Sequence, residues 1–260
     1  MLSPPEANLL AILALGLLAA TVLVWIGVAL RRMPFTPPQS ILFGLNYVLS
    51  RVLWRTTVQG TFSLPPHQGA VIVCNHRASL DPSFLYLATR RKIHWMVAKE
   101  FCDSPFYGWF LRQTGAIPVG RSGIDIAATK LAIRIVQEGG LVGLFPEGRI
   151  NSSDELLLSG RPGVTLIALK AKVPVVPCYI SGSPYQGFPL SPLYTSAKVK
   201  LALGEPIDLS PYYGKEDDRQ VLEEVTKRLL SEIARLAGRP DFQPRVSGRG
   251  ERLSWAMKDV

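Results

Sequence analysis

The sequence predicts a single α/β domain whose sheet is mixed, mostly parallel and flanked by helices. An N-terminal transmembrane helix and an interfacial helix are expected ahead of it. Three observations lead there. From residue 57 onward, short apolar runs rich in β-branched residues alternate with longer segments of helical character. Most of those runs are unbroken rather than alternating, as in strands covered on both faces. Before them lie 22 consecutive residues, Leu9 to Leu30, without a charge.

As a helix that first run would measure about 33 Å, close to the ~30 Å of bilayer hydrocarbon. A cleaved signal would need a basic start and a shorter apolar core, whereas Glu6 is the only charge before the run. Arg31 and Arg32 follow it directly and place the C-terminal side in the cytoplasm. Residues 1–32 are therefore expected to be a single-pass membrane anchor with the catalytic domain on the cytoplasmic side. Residues 33–56 form a proline-bearing linker and a helix, with Ser40 as its N-cap and its end near Arg55. Ile41, Leu45, Val48, Leu49 and Val52 share one face of that helix. That face has two readings: burial in the membrane interface, or docking on the domain.

Within 57–238, strands are predicted near 57–62, 70–74, 93–98, 116–119, 141–145, 174–180 and 197–203. Helices are predicted near 82–90, 104–113, 124–138, 162–172 and 215–237. The last strand alternates, with Val199, Leu201 and Leu203 on one face. The last helix gathers Val221, Leu222, Val225, Leu229, Ile233 and Leu236 into a docking face. Residues 239–260, with Arg239, Arg245, Arg249 and Arg252 among Pro, Gly and Ser, are expected to be a mobile basic tail.

The chain has 260 residues and a net charge of +9. Such a balance suits nucleic acid, an anionic membrane surface or acidic substrates, and the apolar N-terminus favours the membrane. Nucleic-acid binding fits least. Cys74, Cys102 and Cys178 lie far apart in apolar surroundings and read as free buried thiols, with no disulfide framework or metal-ligand spacing. With His67, His76 and His94 as the only other soft ligands no metal constellation is expected, and without a G-x-G-x-x-G neither is a dinucleotide cofactor.

Chemistry concentrates in Asn75-His76-Arg77-Ala78-Ser79-Leu80-Asp81-Pro82, directly after the apolar run Ala70 to Cys74. His76 falls on a strand-to-helix loop. Asp81-Pro82 reads as a helix start with Asp81 at the N-cap. A carboxylate there can hold one imidazole nitrogen while the other faces substrate, the base-and-orienter half of a triad. Gly115-Ala116-Ile117-Pro118-Val119-Gly120-Arg121, Phe145-Pro146-Glu147-Gly148-Arg149 and Val173-Pro174-Val175-Val176-Pro177 follow in order. Together these resemble the four blocks of the glycerolipid acyltransferases, typified by the 1-acyl-glycerol-3-phosphate acyltransferases. The resemblance runs from about Gly69 to Pro206.

The resemblance implies His76 as general base and Asp81 as its orienter, with direct attack by the acceptor hydroxyl and no acyl-enzyme. Arg121 and Arg149 would meet the acceptor's phosphate. Glu147 would orient an arginine or a glycerol hydroxyl, and Gly148 would supply a turn of positive φ. The third block departs from the family's usual Glu-Gly-Thr-Arg-Ser: it reads Glu147-Gly148-Arg149-Ile150-Asn151, its arginine one place early. Arg161 is then a second candidate for that arginine. The aromatic group Trp95, Phe101, Phe106, Tyr107, Trp109 and Phe110 reads as core packing or as the lining of an acyl slot.

The expected activity is acyl transfer from acyl-CoA or acyl carrier protein, as co-substrate, to 1-acyl-glycerol-3-phosphate, giving phosphatidic acid. Another lysophospholipid, glycerol-3-phosphate or an aminolipid is the alternative acceptor. A lipid hydrolase using His76 to activate water, or a non-catalytic lipid-binding protein, are the readings of other classes.

Overall fold

A computed structural model of the protein describes residues 8, 12–18, 20–21, 35–89, 91–105, 107–120, 125–184, 187–188 and 190–247. The chain forms two compact units, residues 1–45 and 46–260. In the first, residues 12–18, 20 and 21 are helical, and Ile12, Leu13, Leu15, Leu17 and Leu18 are exposed. The rest of the Leu9–Leu30 span lies outside the described residues. Among the described residues no helix is long and apolar enough to cross a membrane.

Helix α1 (Pro37–Val52) begins three residues before the expected cap at Ser40. Two prolines suit a first turn, where no N–H is needed, and Thr36 N–H donates to Gln39 Oε1 at 3.0 Å to close the end. Along α1, Ile41, Leu45, Val48 and Val52 are exposed, while Leu49 packs on the core.

Beyond it come β1 (Thr57–Gln59), β2 (Ala70–Cys74), α2 (Asp81–Leu85), β3 (Ile93–Ala98), α3 (Lys99–Cys102), α4 (Gly108–Thr114) and β4 (Ile117–Val119). Then follow α5 (Ile126–Gln137), β5 (Leu141–Leu144), α6 (Gly163–Ala171), β6 (Val175–Ser181), β7 (Lys200–Leu203) and α7 (Arg219–Leu236). The seven strands lie in the order β1-β7-β6-β2-β5-β3-β4, parallel throughout except for the antiparallel pair β6–β7. The α/β expectation, with a mixed and mostly parallel sheet, is what the chain adopts.

β2 sits at the centre and is buried along its whole length, which is why its sequence shows no polar alternation. Period two sends Val71 and Val73 to one face, where they pack with Ala128 and Val136 of α5, Ile167 of α6 and Leu229 and Ile233 of α7. Ala70, Ile72 and Cys74 face the other way, onto Phe84 and Leu85 of α2 and Trp54. Each fully buried aliphatic or aromatic side chain contributes about 1.5–3 kcal/mol, so both layers stabilise the strand from which the His76 loop springs.

Four expectations are corrected. The helix predicted over 104–113 begins only at Gly108, behind Ser104-Pro105, since the residue before proline avoids the helical region; the short α3 lies wholly ahead of that range. The helix predicted over 82–90 ends at Leu85 and runs on as turns. Asp81 is not an N-cap. Leu80 holds that position without a side-chain bond, because the Asp81 carboxylate turns back into its own loop. The expected tail is not wholly free, since Val246 pairs with Gly160; residues 248–260 lie outside the described residues.

Candidate active site

β2, β3, β4 and β5 all run parallel, so the loops leaving their C-terminal ends collect at one edge of the sheet, where α/β folds gather ligands. His76 follows β2, Lys99 follows β3, Gly120 follows β4, and Phe145 to Arg149 follow β5. Asn75 lets the chain leave the sheet. Its Oδ1 accepts from Ile180 N–H at 2.7 Å and its Nδ2 donates to the Ile180 carbonyl at 2.9 Å. A buried side chain thus replaces a ladder rung, and the backbone of His76 is released to turn.

His76 Nδ1 lies 3.0 Å from Asp81 Oδ2, with the imidazole mostly buried and the carboxylate wholly so. The same oxygen accepts from the N–H groups of Arg77 and Ala78, at 2.5 and 2.8 Å. Three donors on one atom fix the carboxylate and shape the loop. Oδ1 has no partner among the described residues. With Nδ1–H given to Asp81, Nε2 keeps its lone pair, and it makes no hydrogen bond among the described residues. The imidazole stacks flat on Phe145, centroids 3.8 Å apart and planes 6° from parallel. Phe145 stacks in turn on Trp95 at 4.7 Å. Trp95 lies flat on Gly143, where an added Cβ would come within 2.6 Å of the indole, so the column requires glycine there.

Both main-chain groups of His76 are held by the β5 loop. Its N–H donates to Glu147 Oε1 at 2.8 Å, and its carbonyl accepts from Asn151 N–H at 2.7 Å. Glu147 Oε2 accepts from Leu158 N–H at 2.8 Å. Glu147 is buried, and that burial pushes its proton affinity up against the opposing pull of the two amides. Both its oxygens are therefore engaged by backbone, an arrangement different from the expected contact with an arginine or glycerol hydroxyl. Arg77 is spent on structure as well: Nη1 donates to the Asn151 and Ser153 carbonyls at 3.0 and 2.6 Å, and Nη2 to that of Glu155 at 2.7 Å.

Gly148 turns the chain at φ +70°, and a Cβ there would come within 2.9 Å of the Arg161 guanidinium carbon. Arg161 N–H donates to the Pro146 carbonyl at 2.8 Å. Arg161 thus lies against the Pro146–Gly148 turn, while Arg149 next to it is exposed and makes no hydrogen bond or ion pair among the described residues. Arg121 belongs to 121–124, outside the described residues. Just before it, Gly120 N–H donates to Asp125 Oδ2 at 2.9 Å, and Asp125 caps α5 through Ala128 N–H. These bonds to the ionised form hold the Asp125 carboxyl below the usual range.

The aromatic group divides. Trp95 is buried in the column, whereas Phe101, Trp109 and Phe110 are exposed on α3 and α4; Phe106 is outside the described residues. Burial pushes the Cys74 and Cys178 thiols well up, which leaves neither suited to nucleophilic work, and Cys102 is half-buried. Sequence reading missed Asn75, Arg77 and Phe145 as site residues. The available signal was the same for all three, a place inside a block: the first for Asn75 and Arg77, the third for Phe145.

Residues 55–181 match the protein family described as Acyltransferase. The 1-acyl-sn-glycerol-3-phosphate acyltransferase of Bacillus subtilis is 31% identical over 180 residues, 69% of this chain and 86% of the relative. That of Streptococcus pneumoniae is 30% identical over 169 residues, 64% of this chain and 60% of its own length. In structure, the 1-acyl-sn-glycerophosphate (LPA) acyltransferase PlsC of Thermotoga maritima aligns with a TM-score of 0.57 at 24% identity. That alignment covers 87% of this chain and 96% of PlsC, a likeness of fold. The chain therefore belongs to the acyltransferase family, among its 1-acyl-sn-glycerol-3-phosphate acyltransferase-like members, and is an acyltransferase.

Proposed function

We propose that the enzyme transfers a fatty acyl group from acyl-CoA or acyl carrier protein to the free hydroxyl of 1-acyl-glycerol-3-phosphate, with His76 as general base. The reading is carried by the contact of His76 Nδ1 with buried Asp81, which leaves Nε2 available at the loop edge of the sheet. Nε2 takes the acceptor's proton as its oxygen attacks the thioester carbonyl. Asp81 stabilises the imidazolium that results. Collapse of the tetrahedral intermediate breaks the carbon–sulfur bond, and the imidazolium returns its proton to the departing thiolate. Ester and thiol are the products.

The acceptor's phosphate is assigned to Arg149 and Arg121, with Arg161 beside the same turn as Arg149. Glu147 and Gly148 support that subsite by shaping the turn. A membrane setting is supported by the uncharged run Leu9 to Leu30, with Arg31 and Arg32 behind it. The exposed stripe Ile41, Leu45, Val48 and Val52 on α1, where Arg51 lies 5.6 Å from the Tyr47 ring centroid, suits a helix in the interface.

The test uses membranes bearing the protein, a labelled acyl donor and a panel of lysolipids, with product identification. Phosphatidic acid should be the principal product. Arg149→Ala and Arg161→Ala should each raise the acceptor KM about ten- to hundredfold, the equivalent of one charge-assisted bond, and leave the donor KM little changed. Preference for a neutral or amino acceptor, with both variants silent, would overturn the phosphate assignment. Release of free fatty acid without acceptor would favour a hydrolase.

A further inference from the structure

The segment after Gly238 returns to the domain. Gly160 N–H donates to the Arg245 carbonyl at 2.8 Å and Ser247 N–H to the Gly160 carbonyl at 2.9 Å, so Gly160 and Val246 pair as one rung of a parallel ladder. Arg245 Nη2 meets Glu155 Oε2 at 2.5 Å, and Ser247 Oγ donates to the Ser159 carbonyl at 3.4 Å. The exposed ion pair contributes little in water. The main-chain bonds to buried Gly160 are the firmer tie.

The stretch tied in this way is the one that grips the catalytic loop. Leu158 N–H holds Glu147, Glu147 holds His76 N–H, Asn151 N–H holds the His76 carbonyl, and Arg77 reaches three carbonyls between Asn151 and Glu155. Residues 151–160 are thus clamped between the His76 loop on one side and residues 245–247 on the other.

We propose that residues 244–247 are a positioning element of the transfer reaction. They form a main-chain strap that keeps 151–160 seated and, through Glu147, Asn151 and Arg77, keeps His76 in line with its substrates. The strap does not touch the reacting atoms. This rests on the reading of His76 as the base. A tail that only stabilised the fold would change the melting temperature and leave turnover per folded molecule unchanged.

Four changes to the full chain, assayed in detergent micelles beside His76→Ala, test this. A stop after Ser247 retains every bond named above and should leave kcat within twofold of the parent. A stop after Gln243 should lower kcat at least tenfold, with both KM values within about threefold. Ser247→Pro, which removes one N–H, should reproduce much of that loss, whereas Ser247→Ala, which keeps it, should not. Unchanged kcat in both the Gln243 stop and Ser247→Pro overturns the strap, and so does a rise in KM in place of the fall in kcat. Unfolding of both variants at the assay temperature overturns it too, since the segment would then hold the fold and not the loop. Activity in His76→Ala would refute the base assignment separately.

Discussion

Replacing Glu147 by Gln asks whether this side chain serves the loop or the acceptor. In the parent, each carboxylate oxygen accepts one amide, His76 N–H and Leu158 N–H, both at 2.8 Å. A carboxamide of the same shape keeps one oxygen and turns an NH2 toward the other amide, donor against donor. One charge-assisted bond is lost, worth about 1.5–3 kcal/mol. Part of this is offset, because the buried charge is gone with its desolvation cost. If about 1.4–2.7 kcal/mol remains and acts by displacing His76 in the transition state, kcat falls about ten- to hundredfold. Initial rates of thiol release, measured against donor and acceptor concentration, should show that fall with the acceptor KM within about twofold. A raised acceptor KM at unchanged kcat would refute the reasoning and return Glu147 to the substrate; parent-like kinetics would refute it too. The variant also has a signature in stability. Burial raises the folded-state proton affinity of Glu147 above the unfolded value, so this group's contribution to stability falls as pH rises through that window. Glu147→Gln should lack that dependence in pH-resolved thermal melts.

Two further predictions concern the base. His76→Ala should lower the rate by about 10²–10⁴ in a protein that still folds, and Asp81→Asn should lower it strongly by favouring the wrong tautomer; single-turnover assays with circular dichroism check both. Phe145→Leu removes the ring under His76, a contact worth about 0.5–1.5 kcal/mol. It should lower kcat about two- to tenfold, whereas Phe145→Tyr should retain most of the rate.

The strands were legible because their chemistry is local. Ala70 to Cys74 and Leu141 to Leu144 are apolar runs of strand length, and they became β2 and β5 where expected. Helix ends were less legible: Ser104-Pro105 marks the late start of α4, whereas the early end of α2 at Leu85 has no proline to mark it. In the site, the five-residue spacing from His76 to Asp81 was visible, since both partners are side chains on one loop. Glu147 was visible as a charge, but its use was not. Its partners are the amides of His76 and Leu158, and backbone donors leave no mark on residue type. For the same reason the basic residues after Gly238 read as a loose tail, although Gly160 holds that segment by its main chain.

The strand order has a consequence for how the protein comes off the ribosome. β2 finds its two neighbours in β5 and β6, and β1 finds its partner only in β7. No rung beside the His76 loop can close until residues 141–144 have emerged, and Asn75 cannot clasp Ile180 until 175–181 have followed. Nascent chains shorter than that carry an apolar, partnerless central strand, the kind of segment that associates with other chains while it waits. Slow elongation through the middle of this message would prolong that exposure, and chaperone demand should peak before β6 is complete.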